Sequence, residues 1–281
     1  MIMKLCKYFL TLVVLLALSS CSKEPGPSTE TGESSKPKEW TISGTVKGND
    51  GTLLEGVVVS DGHSCVKTDK QGRYYLPADL SSAMYVMVST PSSYSAPVQD
   101  GHATFWKWLK DCTKDTNGKY TADFTLNKIA NPNRYKVLMF GDPQPRSKDH
   151  FNEFSGVPLD DIRQCVAGLK SPTVAIVVGD ITHDKYYLMN DWKETMRSES
   201  IPFYPVIGNH DHNRKFNDDD LASGLYNEAF GPADYAFFMG KDVVIVLDNI
   251  IYHSRSGYEL GYTDRLIGWV RGLMKYVPED A

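Results

Sequence analysis

Pro205-Val206-Ile207-Gly208-Asn209-His210-Asp211-His212 is an apolar run that halts at a glycine and gives way to four side chains able to bind metal or move protons. The pattern occurs twice upstream, in Val137-Leu138-Met139-Phe140-Gly141-Asp142-Pro143-Gln144 and in Val174-Ala175-Ile176-Val177-Val178-Gly179-Asp180. Each strand-length run ends in Gly followed by Asp or Asn. A continuous run such as Ala175–Val178 suits a strand covered on both faces, as in the parallel sheets of α/β proteins. Ligand sites in such folds lie beyond the carboxyl ends of the strands. The expectation is one site assembled on the ends of neighbouring strands.

Around these runs the chain alternates strand and helix. The pattern predicts strands at Tyr135–Phe140, Thr173–Val178, Phe203–Ile207, Tyr235–Met239 and Val243–Leu247. Helices are expected near Leu159–Leu169, Tyr186–Ser200, Leu221–Phe230 and Thr263–Lys275. The fold class read for residues 131–281 is a layered α/β β-sandwich flanked by helices. Asn131-Pro132-Asn133 is a turn-type break and marks its expected start.

Residues 40–130 read differently. Trp40–Val46 alternates, Gly56–Ser60, Ser64–Thr68, Arg73–Leu76, Ala83–Ser89 and Tyr120–Leu126 are short strand candidates, and Gly/Asp turns separate most of them. The expectation is a small all-β sandwich. The segments Ile42–Val46, Leu54–Val59 and Thr68–Tyr74 resemble the carboxypeptidase regulatory-like (transthyretin-like) module, which implies a structural or docking role. His63 and His102 stand alone here and are read as solvated loop residues. Phe105-Trp106-Lys107-Trp108-Leu109 is read as a patch packed on the neighbouring domain rather than a carbohydrate-stacking face.

The amino terminus reads as a targeting segment. Lys4 and Lys7 precede an apolar stretch from Tyr8 to Leu18, too short to span a membrane comfortably. Leu18-Ser19-Ser20-Cys21 resembles a bacterial lipobox, so residues 1–20 are read as a lipoprotein signal peptide and Cys21 as the lipid carrier. Residues 21–39, rich in Pro, Ser, Glu, Lys and Gly, are read as a tether. The expected location is the bacterial cell envelope, with membrane attachment through Cys21. Cys65, Cys112 and Cys165 have no CxxC spacing and do not read as a zinc site; a Cys65–Cys112 disulfide and buried thiols both stay open. A net charge of -5 gives no electrostatic reason to expect nucleic acid as a partner.

The strand-end residues carry the chemistry. In an extended loop, residues i and i+2 point the same way, so one cation can take the oxygens of both Asp142 and Gln144. Asp180 follows a buried apolar run, so its carboxylate needs a partner, a hydrogen bond or a metal. Asn209, His210 and Asp211 combine a neutral oxygen ligand, an imidazole and a carboxylate. The division of labour read here puts Asn209 on metal and His210 towards substrate, with Asp211 orienting the imidazole.

Taken together, Gly141-Asp142-Pro143-Gln144, Gly179-Asp180 and Gly208-Asn209-His210-Asp211 resemble the first three blocks of the calcineurin-like metallophosphoesterase superfamily. The resemblance implies two divalent metal ions (Mn, Fe, Zn or Mg) and a small phosphorylated substrate. Asp142 and Gln144 would bind the first ion, Asp180 would bridge both, and Asn209 would bind the second. His210 would act as the catalytic group with Asp211 as its partner, in hydrolysis of a phosphate mono- or diester by a hydroxide held between the ions.

Two departures stand out. Gln144 replaces the family's histidine, and an amide oxygen favours Mn or Mg over Zn. The later Gly-His-x-His block is absent: after His212 the sequence holds one histidine, His253. The expectation is therefore a fragment of a longer enzyme, with the second ion under-coordinated. The alternative from another class is a non-catalytic envelope binding protein of the same fold.

Overall fold

The computed structural model describes residues 39–281 apart from 131, 170, 198–200 and 255–256. The signal segment, Cys21 and nearly all of the tether read from the sequence lie outside the described residues. The described residues belong to one compact unit.

The first half supplies β1 (Ile42–Gly48), β2 (Val58–Ser60), β3 (Cys65–Lys67), β4 (Arg73–Leu76), β5 (Tyr85–Ser89), β6 (Tyr94–Ser95), β7 (Val98–Gln99), β8 (His102–Ala103), β9 (Trp106–Trp108), β10 (Thr113–Lys114), β11 (Tyr120–Thr121) and β12 (Phe124–Lys128). Two sheets result. One runs β10-β11-β1-β12-β6 with β4 also on β1, and the other runs β3-β2-β5-β9. The expected strand at Tyr120–Leu126 is split, β11 and β12 each pairing in parallel with β1. Gly72 sits at a φ of 68° in the tight turn between β3 and β4, where a Cβ would meet the Val46 carbonyl at 2.5 Å.

The second half supplies β13 (Lys136–Gly141), α1 (Lys148–Ser155), α2 (Val157–Ala167), β14 (Thr173–Val178), α3 (Leu188–Met196), β15 (Phe203–Pro205), α4 (Asp219–Ala222), α5 (Gly224–Phe230), β16 (Tyr235–Met239), β17 (Asp242–Val246), β18 (Ile250–Ser254), β19 (Gly257–Leu260) and α6 (Asp264–Met274). The result is a mixed α/β fold with several sheets. The first two runs that opened the sequence reading are β13 and β14; the third follows β15, which stops at Pro205 rather than at the expected Ile207, and the three strands are adjacent and parallel. Alternation along β14 explains its unbroken apolar sequence. Ala175 and Val177 pack among α1, α3 and α5, whereas Val174 and Ile176 join the core that holds Tyr204, Tyr235 and Phe237. Both faces are covered.

Three features depart from the sequence reading. A helix absent from it, α1, is capped by Ser147, whose hydroxyl accepts from the His150 amide. The hairpin β18–β19 was also not expected. Most consequential is β8, which pairs in parallel with β15 through His102 and Phe203 and extends the five-stranded sheet β13-β14-β15-β8-β7. His102, read as a solvated loop residue, is therefore a buried strand residue, set edge-on to Phe230 at 5.9 Å. Its Nδ1 has no hydrogen-bond partner, and burial pushes its pKa down to about 4.

Phe105 is buried and lies 4.6 Å from the ring of Tyr235 and 6.1 Å from that of Tyr204, as a packing patch requires. Cys65, Cys112 and Cys165 are free thiols. No helix of the described residues is long and apolar enough to cross a membrane.

Candidate functional site

The strand ends are held by named contacts. The Tyr226 and Tyr235 hydroxyls both donate to the Pro205 carbonyl, at 2.7 and 2.8 Å, and fix the end of β15. The Trp192 indole donates to the Ile181 carbonyl at 2.9 Å, tying α3 to the loop after β14. Gly208 is required by contact: a Cβ there would stand 2.1 Å from the Asp180 amide nitrogen and 2.2 Å from its Oδ1. The second and third loops thus meet backbone to backbone.

Side chains meet across the same seam. The Gln144 side-chain amide donates to Asp180 Oδ2 at 2.6 Å, and the His210 amide donates to Asp180 Oδ1 at 2.9 Å. The Gln144 amide also donates to the Asp180 carbonyl, and the Asp142 amide to the Val178 carbonyl. Asp142, Gln144, Asp180 and Asn209 therefore lie on loops at one end of one sheet, as the sequence pattern implied. Four of the five non-glycine residues with positive φ among the described residues are Asp142 (51°), Gln144 (41°), Asp180 (45°) and Asp184 (55°). Each costs about 1–3 kcal/mol, and such strain gathers where a site imposes its geometry.

Asp180 supplies the test of fit for a metal. Its carboxylate is buried, and both hydrogen-bond donors to it are neutral amides. Among the described residues, no Lys, Arg or His side chain forms an ion pair with it. A buried carboxylate without a cationic partner is costly, and a divalent ion beside Asp142, Gln144 and Asn209 would offset that cost. Two carboxylates and two amides make a hard oxygen set suited to Mg or Mn. The residues present fit the group.

The roles of the two acids near His210 need correcting. Asp211 was expected to orient the imidazole. Instead it is fully buried and accepts from the backbone amides of Ile181, Thr182 and Gly208, at 2.9–3.0 Å. Burial pushes its pKa up to about 7, while those three amides pull the other way. Asp211 staples the second loop to the third. The partner of His210 is Asp184, with Oδ1 3.1 Å from Nδ1. Nothing in the linear sequence distinguished Asp184 from a loop acid; its αL backbone and its position after the Asp180 turn become informative only in three dimensions.

Further groups surround this pair. The ring of His183 lies 3.8 Å from that of His210, and its pKa is lowered by burial first and then by the charges of His210 and Arg146. The Arg214 guanidinium places Nε 3.3 Å from Asp184 Oδ1 and Nη2 3.2 Å from His210 Nδ1. His212 is buried. Its Nδ1 is 2.9 Å from the Gly208 carbonyl and its Nε2 is 3.1 Å from Asp248 Oδ2, just past the end of β17. Burial lowers the pKa of the ring, and the hydrogen bond and charge of Asp248 outweigh that and raise it above the ordinary value. His253 stands apart, paired with Glu259 across the β18–β19 hairpin.

A search of curated proteins found no match. Among solved structures, a single-residue mutant of the shaft pilin spaA from Lactobacillus rhamnosus GG matches at 14% identity. That match covers 37% of this chain and 52% of the pilin chain, with a TM-score of 0.23. Two family models match, one described as the N terminal of calcineurin-like phosphoesterase over residues 40–129 and one as calcineurin-like phosphoesterase over residues 135–267. Together the two models span most of residues 40–267, and the chain belongs to the calcineurin-like metallophosphoesterase superfamily.

Proposed function

We propose that this protein hydrolyses a phosphate mono- or diester of a small molecule with the help of two divalent ions. The observation that carries the reading is the buried, cation-poor Asp180 carboxylate at the meeting point of three strand-end loops, beside the His210–Asp184 pair. Divalent ions at such a site neutralise phosphoryl charge and acidify water.

In this reading Asp142, Gln144, Asp180 and Asn209 would hold the ions, Asp142 and Gln144 on one side of Asp180 and Asn209 on the other. Gln144 also fixes the Asp180 carboxylate by donating to Oδ2. Asp184 Oδ1, 3.1 Å from His210 Nδ1, orients the ring. His210 Nε2 is then free to deliver a proton to the ester oxygen as its bond to phosphorus breaks. Asp211 keeps the loops in register and touches no reacting atom. We read the two amino-terminal sheets as a docking sandwich within residues 40–130, and the protein as held at the bacterial envelope by lipid on Cys21.

The test is metal analysis of the purified protein after equilibration with Mn2+ or Mg2+, alongside turnover of an aryl phosphate and its bis-ester. Retained metal, lost in Asp180→Asn, together with turnover lost in His210→Ala, is the expected result. An intact fold that retains no ion and shows no turnover above the His210→Ala background would leave the binding-protein alternative standing.

A further inference from the structure

We propose that His183, Asp184 and His210 form a binding site for one transition-metal ion of the Zn2+ or Co2+ kind, separate from the oxygen-lined position at Asp142, Gln144, Asp180 and Asn209. Each of the three side chains can place a ligand atom within 4.8 Å of the others. His210 Nδ1 and Asp184 Oδ1 are 3.1 Å apart, near the edge of about 3.4 Å that bonds of about 2.1 Å give a tetrahedral site. The two imidazoles lie with ring centroids 3.8 Å apart. His183 Nδ1 is buried and makes no hydrogen bond, so a ligand there costs no existing partner.

The donor chemistry separates the two positions. Two imidazoles and a carboxylate match Zn2+ and its neighbours, whereas carboxylates and amides match Mg2+ or Mn2+. Arg214 gives an independent pointer. Its guanidinium already lies against both Asp184 Oδ1 and His210 Nδ1, so a positive charge is accommodated there. The Arg214 side chain is 45% exposed and can swing into solvent. An incoming ion and Arg214 therefore compete for the same two groups. Whichever ring nitrogen binds, an ion here withdraws His210 from proton transfer. That consequence rests on the reading of His210 as proton donor, whereas the site itself does not.

The full chain in excess Mg2+, which keeps the oxygen-lined position filled, is titrated with Co2+ while the visible d–d absorption of nitrogen-ligated Co2+ is followed. One Co2+ per chain is expected, displaced by Zn2+. The apparent Kd should rise at least about tenfold in His183→Ala and fall by a comparable factor in Arg214→Gln. Arg214→Gln changes an exposed side chain and supplies a second arm if His183→Ala folds poorly. No band, a band unchanged by both substitutions, or a band lost in Asp180→Asn while surviving His183→Ala, overturns the site. Aryl phosphate turnover in Mg2+ alone tests the hydrolase separately. A Co2+ band without turnover sinks the hydrolase and keeps the site; turnover without a band does the reverse.

Discussion

His210 Nδ1 lies 3.1 Å from Asp184 Oδ1, while the acid next to it in sequence, Asp211, spends its oxygens on backbone amides. The two acids should therefore fail in different ways. Asp184→Asn keeps the fold and lowers kcat about ten- to hundredfold, the usual cost of losing a group that orients a functional imidazole. Asp211→Asn presents an NH2 group to amide donors and should lower stability by about 1–3 kcal/mol for each donor left unpaired. Steady-state kinetics and urea denaturation on the same two proteins check both halves. Equal effects of the two substitutions on kcat at unchanged stability would refute the assignment.

In the proposed reading, Gln144 sets which ion the first position prefers. Gln144→His replaces a hard amide oxygen with an imidazole and removes the donor to Asp180 Oδ2. Metal content after dialysis against equal Mg2+, Mn2+ and Zn2+ should shift towards Zn2+. An unchanged ratio would mean that Gln144 is not a ligand.

Gly208 allows no side chain. Its Cβ would stand 2.2 Å from Asp180 Oδ1 and 2.1 Å from the Asp180 amide nitrogen, and backbone cannot move aside cheaply. Gly208→Ala should lose metal retention together with about 1–3 kcal/mol of stability, the range for overpacking a tight contact. Gly268→Ala, in α6 with open space around its Cβ, is the control and should be neutral or slightly stabilising.

His102 predicts an acid-side loss of stability. Its pKa in the folded chain is about 4, below the ordinary 6.5, because burial disfavours the charged ring. Between those values the unfolded chain binds a proton that the folded chain does not, so stability falls as pH drops from 6.5 towards 4. The loss approaches about 3 kcal/mol at the low end. His102→Phe keeps a ring against Phe230 and should flatten this dependence in thermal melts run between pH 4 and 7. An identical pH profile for the variant would exclude His102 as the cause.

The three strand-end blocks were legible because local rules dictate them: an apolar run of strand length, then a glycine, then an oxygen-bearing side chain. Asp142, Gln144, Asp180 and Asn209 fell at one sheet end for that reason. Pairings across long separations were not legible. Asp184 reaches His210 across 26 residues and Asp248 reaches His212 across 36, and no periodicity announces such contacts. Asp211 misled because adjacency to His210 suggested partnership, whereas the peptide bond between them turns its carboxylate inward. His102 misled for a related reason: a two-residue strand carries too little pattern to be seen, and its burial comes from β15, about a hundred residues later.

The pairing of β8 with β15 ties the two family-matched segments into one hydrogen-bonded sheet. A cut in the chain near residue 131 would sever a connection but not free a folding unit. Expressed alone, the carboxyl-terminal segment would present the bare edge of β15, a template on which other chains can add strands and aggregate. The amino-terminal segment therefore acts as a built-in edge protector, and its loss should show first as poor solubility and only afterwards as a change in chemistry.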